Sequence, residues 1–204
     1  MSQGELNVKR KTLIASIAAV LTVVALWLPN QAWAKKAKTF LASDDAKESD
    51  EPQGYLPDYS KLVKGDDADW VYFPNGSLQS FKTVQIKPFS NNAVDTHKVD
   101  GKYAAEFAPD FFKKWLEKQG FQIVDSGHAD MIIEGNIFNA WEPSGGARFW
   151  GGAFANPGAG EEVICKDAKG TILGFVRHKS RGSTIKDSVE NGLEEVAKAI
   201  AKGK

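Results

Sequence analysis

A single cysteine, Cys165, stands in a chain of 204 residues, so no intramolecular disulfide can form and the fold must hold by its core alone. A lone thiol of this kind is expected in the interior. Histidine is scarce as well, and His97, His128 and His178 fall in three separate segments. No G-x-S-x-G, H-E-x-x-H or C-x-x-C occurs, so the common hydrolase, zinc-protease and redox signatures are missing. Net charge is also absent, with 26 basic residues against 26 acidic ones. A nucleic-acid binder needs a basic stripe to meet phosphates, and this balance argues against one. No catalytic residue, cofactor-binding set or metal-ligating set is assigned from the sequence.

Long apolar runs are confined to the N-terminus. Lys9, Arg10 and Lys11 precede an uncharged, mostly apolar stretch from Thr12 to Leu28, which Pro29 breaks. Ala32-Trp33-Ala34 then supplies the small-x-small pattern of a signal-peptidase site. Residues 1–34 are therefore read as a signal peptide cleaved after Ala34, giving a periplasmic or secreted protein with no stable membrane anchor. The competing reading is an inner-membrane anchor formed by an uncleaved segment 12–28. Loss of Lys9, Arg10, Lys11 and Glu5 with the signal leaves the mature chain slightly acidic. Residues 35–53 are rich in Asp, Glu and Lys with only Phe40 and Leu41 large and apolar, the composition of a disordered tether.

Residues 54–204 read as one α/β (α+β) domain: a mixed, mostly antiparallel sheet with two main helices packed on one face. Tyr55, Leu56, Tyr59 and Leu62 are placed in an extended arm, because Pro57 prevents a regular helix. Asp66, Asp67 and Asp69 are read as a solvated acidic turn, lacking the glycine and distal glutamate of a calcium loop. Alternation over 81–89 gives a strand. From Lys102 to Gln119, Phe107, Phe111 and Trp115 recur every four residues, with Ala104, Ala108, Phe112 and Leu116 widening the stripe, as in an amphipathic helix. Pro109 opens or kinks that helix, and Gly120 caps it. Further strands follow at 121–124 and 131–138, and a hairpin at 161–166 and 171–178 turns around Asp167-Ala168-Lys169-Gly170. A last helix, capped by Ser183, carries Ile185, Val189, Leu193, Val196 and Ile200 on one face. The helices are expected to bury Phe111, Trp115, Val189, Leu193 and Val196.

Between the last single strand and the hairpin lies Pro143 to Gly160, rich in glycine and aromatics. Neither phosphate-loop spacing occurs there, and Gly160 leads into a strand, so no helix N-terminus points at an anion. Arg148, Phe149, Trp150 and Phe154 instead form a candidate interaction surface, since Arg with aromatics is typical of interface anchors. The alternative is a crossover whose aromatics tuck into the domain's own core. Glu161 and Glu162 are adjacent on a strand and so face opposite sides. They cannot act together as an acid/base pair, and are read as an edge charge and a solvent charge.

Gly54 to Leu62, followed by Ala68-Asp69-Trp70 and the strand at Val84–Phe89, resembles the opening of bacterial envelope lipoproteins classed as domains of unknown function. The stretches Ala129–Gly135, Arg148 to Gly152, Gly158-Ala159-Gly160, and Asp167 with Gly170 and Leu173 resemble a related uncharacterised group. This chain departs from the lipoproteins in lacking the lipobox cysteine. The resemblance implies a non-enzymatic periplasmic accessory or scaffold protein that contacts other envelope proteins, with homo-oligomerisation left open. The alternative reading is a periplasmic binding module for a small apolar or lipid ligand.

Overall fold

The computed structural model describes residues 53–74, 78, 80–93, 101–142 and 156–203. The proposed signal peptide and all of the tether but Gln53 lie outside these residues.

Among the described residues, eight strands form one mixed, mostly antiparallel sheet with two α-helices on one face. In chain order the strands are β1 (Val63–Lys64), β2 (Trp70–Tyr72), β3 (Thr83–Ile86), β4 (Ser90–Asn91), β5 (Gln122–Ile123), β6 (Met131–Trp141), β7 (Gly158–Asp167) and β8 (Ile172–Arg181). Helix α1 (Gly101–Lys118) lies between β4 and β5, and α2 (Ile185–Lys202) follows β8. Across the sheet the order is β1-β2-β8-β7-β6-β3-β5, with β4 also pairing β6. Pairings of β3 with β5 and β6, and of β4 with β6, are parallel, whereas β6-β7-β8-β2-β1 run antiparallel. A parallel neighbour needs a crossover, and α1 supplies it.

Local chemistry accounts for the boundaries. Gly120, with φ +86°, ends α1 in a left-handed turn in which its amide donates to Glu117 O and that of Phe121 to Leu116 O,. Gly170 closes the β7–β8 turn in the same conformation, and Asp167 Oδ1 accepts from the amides of Lys169 and Thr171. Pro109 sits well inside α1, so it does not open the helix. Thr184, not Ser183, caps α2: its Oγ1 accepts from the Asp187 amide at 3.0 Å. Ser183 instead donates its hydroxyl to the Asp187 carboxylate.

The core between sheet and helices contains Val84, Met131, Ile133, Ile137, Val163, Cys165 and Val176 from the strands. Val189, Leu193, Val196 and Ile200 join it from α2. On α1 the expected face is rotated. Ala104, Ala108, Phe112 and Leu116 are fully buried, while Phe107, Phe111 and Trp115 are only half-buried along its flank. Flat aromatics on that flank serve as platforms for lysines, with Lys118 Nζ 3.8 Å from the Trp115 ring and Lys186 Nζ 5.5 Å from that of Phe111,.

The opposite face of the sheet is covered where the chain enters the domain. Leu56 and Leu62 pack with Ile164 and Phe175, flanked by Tyr55, Tyr59, Trp70 and Tyr72. The arm expected at 54–62 thus forms a lid over β7 and β8, and the aromatic run that follows becomes β2.

Candidate functional site

The hairpin β7–β8 sets acids against bases on both faces of the sheet. Its register pairs Glu161 with His178 and Glu162 with Arg177. Because successive strand residues alternate, one pair faces α2 and the other faces the arm. Both glutamates are fully buried, as are Arg177 and His178. The expectation of an edge charge and a solvent charge is therefore wrong: neighbours in the sheet, the arm and α2 enclose both carboxylates. Their opposite facing is as expected.

On the arm side, Glu162 accepts from Arg177, from the Tyr59 hydroxyl at 2.7 Å and from Asn136 Nδ2 at 3.1 Å. Asn136 also donates to Asn92, and Ser90 donates to Asn136. The Arg177 guanidinium lies 3.7 Å from the Phe138 ring centroid, with Tyr59 beyond it. Tyr59 in turn accepts from the amides of Gly54 and Leu56. One buried ion pair thus ties the arm, β6, β7 and β8 together.

On the helix side, His178 Nδ1 lies 3.1 Å from Asp69 Oδ2, and Nε2 lies 2.7 Å from Glu195 Oε2. Burial acts to lower the His178 pKa, but hydrogen bonds to Asp69 and Glu195 and the nearby Asp69 and Glu161 charges outweigh it and raise it to about 9. The Asp69 backbone amide also donates to Nδ1 at 3.1 Å, so both the main chain and the side chain of Asp69 hold this edge of the ring. Burial dominates at Glu161 and, against the favourable His178 charge, raises its pKa to about 8; Glu195 and Asp69 add to the shift. Neither Glu161 oxygen has a hydrogen-bond partner, in keeping with a carboxyl that stays neutral at pH 7. Asp69 is 14 % exposed, against 93 % for Asp66. The acidic turn is therefore solvated only in part; Asp69 folds inward, and its Oδ2 also accepts from the Lys179 amide.

A histidine between carboxylates has the composition of a catalytic dyad, and here it is fully buried. The nearby Ser180 hydroxyl is engaged with Ser188 O at 2.5 Å. His128 is exposed on the β5–β6 loop, well apart in sequence and element from His178, and His97 lies outside the described residues. The cluster ties α2 and the β1–β2 turn to the sheet.

A surface feature lies farther along the same strands. At the end of the sheet, a hollow of about 260 Å³ is lined by Asn139 and Trp141 of β6, Gly158 and Ala159 of β7, and Lys179, Ser180 and Arg181 of β8. Arg148, Phe149, Trp150 and Phe154 lie outside the described residues. The connection that carries them leaves β6 after Trp141 and enters β7 at Gly158, two residues of this hollow's wall. Sequence reading missed Trp141, Lys179 and Arg181. The alternation of basic residues at Arg177, Lys179 and Arg181 was the available signal, since it puts three cations on one face of β8.

No family model matches the chain, and no curated protein matches it. Similar solved structures include a PelC dodecamer from Paraburkholderia phytofirmans, 14 % identical over 64 % of this chain and 95 % of that chain, with a TM-score of 0.48. A Xanthomonas campestris protein of the DUF330 family is 10 % identical over 61 % of this chain and 85 % of that one, with a TM-score of 0.37. A hypothetical protein from Chlamydia trachomatis is 8 % identical over 49 % of this chain and 72 % of the other, with a TM-score of 0.35. Likenesses of this size carry no functional argument, and what this chain does has to be argued from its own residues.

Proposed function

We propose that this chain is an exported, non-enzymatic accessory protein that acts by binding other envelope components. The observation that carries this reading is where its chemistry is spent. Glu161, Glu162, Arg177 and His178, the groups best suited to acid/base work, are sealed in the interior and join elements of the fold. The surface these strands offer to partners is the sheet end around Trp141, Lys179 and Arg181, together with the connection bearing Arg148, Phe149, Trp150 and Phe154. Export rests on the basic, apolar and Ala32-Trp33-Ala34 segments of the N-terminus.

A pull-down of C-terminally tagged protein from gently solubilised envelopes, with mass spectrometry of both protein and lipid, tests the reading. A stoichiometric protein partner, lost on substitution of Arg148 and Trp150, supports it. A folded double variant that keeps every partner overturns that surface assignment. N-terminal sequencing of the same material should begin at Lys35; a retained Met1 overturns cleavage. A second reading, a binding module for a small apolar or lipid ligand, is favoured by the hollow itself, and co-purifying lipid in the same experiment is its readout.

A further inference from the structure

Among the described residues, Glu161 is fully buried and neither of its carboxyl oxygens has a hydrogen-bond partner. The charged groups that act on it are its cross-strand neighbour His178 on β8, Glu195 on α2 and Asp69 in the β1–β2 turn. On its other side β6 sets the buried, apolar Ile137 opposite it. Gly192 of α2 makes the room for it: a Cβ there would meet Glu161 Oε2 at 2.5 Å and Ser180 Oγ at 2.8 Å. The Ser180 hydroxyl donates to Ser188 O instead. This packing suits a neutral carboxyl; ionisation sets a third carboxylate beside one imidazole ring.

Of the two elements that carry the other carboxylates, α2 is the firmer. Val189, Leu193, Val196 and Ile200 anchor it in the core. The β1–β2 turn hangs on less, because β1 pairs β2 over two residues and β2 pairs β8 over three. Within the turn, Gly65 to Asp69, only Ala68 reaches the core. Lys202 adds an ion pair to Asp67 at 2.7 Å, with the lysine 60 % exposed, a kind of contact worth little in water. The inward tie is Asp69. Its amide donates to His178 Nδ1 at 3.1 Å, and its Oδ2 accepts from the Lys179 amide at 2.9 Å. Local opening starts where strands are short and buried apolar contacts few, so a new charge beside Asp69 acts on the turn before the helix.

We propose that Glu161 is a proton-operated latch on the β1–β2 turn. Protonated, it lets Asp69 stay folded inward; ionised, it repels Asp69 and loosens the turn, and with it the cover that β2 lays along β8. The direction follows from burial. The Glu161 pKa is about 8 with the turn closed, against an ordinary 4.5, so the closed turn keeps a proton that a hydrated carboxyl gives up. The hold is complete below 4.5 and is lost as pH climbs to 8, by at most about tenfold per pH unit. His178, raised from 6.5 to about 9, adds its own loss only above 6.5. The interval from pH 5 to 6.5 therefore separates Glu161 from His178.

Native-state hydrogen exchange of the full chain at pH 5, 6.5 and 8 tests the latch, read as protection factors so that the intrinsic pH dependence of exchange drops out. The Asp69 and Lys179 amides report the turn, and amides of β6 report opening of the whole domain. Protection at Asp69 and Lys179 is expected to lie below that of β6 and to fall about tenfold between pH 5 and 6.5. Glu161→Gln, neutral at every pH, should abolish that fall. Turn amides that match β6 at every pH overturn the latch, since the turn then opens only with the whole domain. Turn amides that exchange faster than β6 without dependence on pH overturn it too, because opening then releases no proton. A fall that persists in Glu161→Gln removes Glu161 as the trigger. If that variant misfolds, the carboxyl carbon resonance of Glu161 in the unaltered chain decides: a midpoint near 8 together with the local fall supports the latch, and one near 4.5 overturns it.

Discussion

Glu161 and Glu162 show how far one backbone rotation separates two identical side chains. Glu162 accepts from Arg177, Tyr59 and Asn136, so Glu162→Gln removes a buried carboxylate from the Arg177 guanidinium. A loss of about 3–5 kcal/mol is expected, as for other broken buried pairs, and chemical denaturation measures it. Glu161 is the reverse case, a buried carboxyl whose pKa of about 8 lies above the ordinary 4.5. Folding must therefore take up a proton there between those two pH values, so stability falls as pH climbs through that window. His178, raised from 6.5 to about 9, acts in the same direction: its contribution is complete below its ordinary value and is lost as pH rises through 9. The melting temperature should be higher at pH 5 than at pH 9, and Glu161→Gln should flatten the part of that slope below pH 8. An unchanged slope in the variant places the titration elsewhere. None of this was legible from two adjacent glutamates. Counting back evenly from the Asp167–Gly170 turn sets Glu162 opposite Val176. An irregularity at Cys165/Lys166 shifts the register by one and brings Arg177 and His178 into place, and no local residue pattern announces it.

At the scale of elements, periodicity located both helices, the two long hairpin strands and β6, and turn chemistry at Gly120 and Gly170 fixed where two of them stop. Periodicity did not fix which α1 stripe faces inward, because aromatics at 107, 111 and 115 and smaller or aliphatic residues at 104, 108 and 116 repeat with the same spacing. The sheet decides: α1 sits close enough that alanines fit beneath it and larger rings lie at the side. Phe112→Ala should cost about 3–5 kcal/mol, whereas Phe111→Ala, half-buried on the flank, should cost clearly less. Equal losses would mean the flank is as tightly packed as the core. The same spacing argument explains Gly192 in the middle of α2. A Cβ there would meet Glu161 Oε2 at 2.5 Å, so Gly192→Ala should destabilise the protein although alanine is the better helix former. A higher melting temperature for that variant would show that the helix can shift away from the cluster. Strands β1, β2 and β4 escaped the sequence reading for a different reason. Two or three residues are too short for alternation to register, and their pairing depends on β8 and β6 being there already.

On the scale of the whole molecule, the β7–β8 hairpin is divided along its length. Its middle rungs carry the buried Glu161–His178 and Glu162–Arg177 pairs; its far rungs, at Gly158 and Gly160, run to the hollow at the sheet end. The surface read from Arg148, Phe149, Trp150 and Phe154 lies outside the described residues, while Lys179 and Arg181 come to lie beside Trp141 and Gly158 only through strand pairing. The arm is subject to the same long-range dependence. Tyr59 reaches Glu162 across 103 residues of sequence, and Asp69 meets the Lys179 amide across 110. During synthesis or export, the arm is made first and has no seat until the hairpin and the last helix exist. Loop closure over such spans is slow, so the part of the domain that is made first should dock last. In a pulsed hydrogen-exchange refolding experiment, amides of β7 and β8 should gain protection before those of Leu56 and Leu62. Between those two events the chain would carry an uncovered apolar patch of Ile164 and Phe175, a window in which a chaperone or a second copy's arm can reach the seat before its own does.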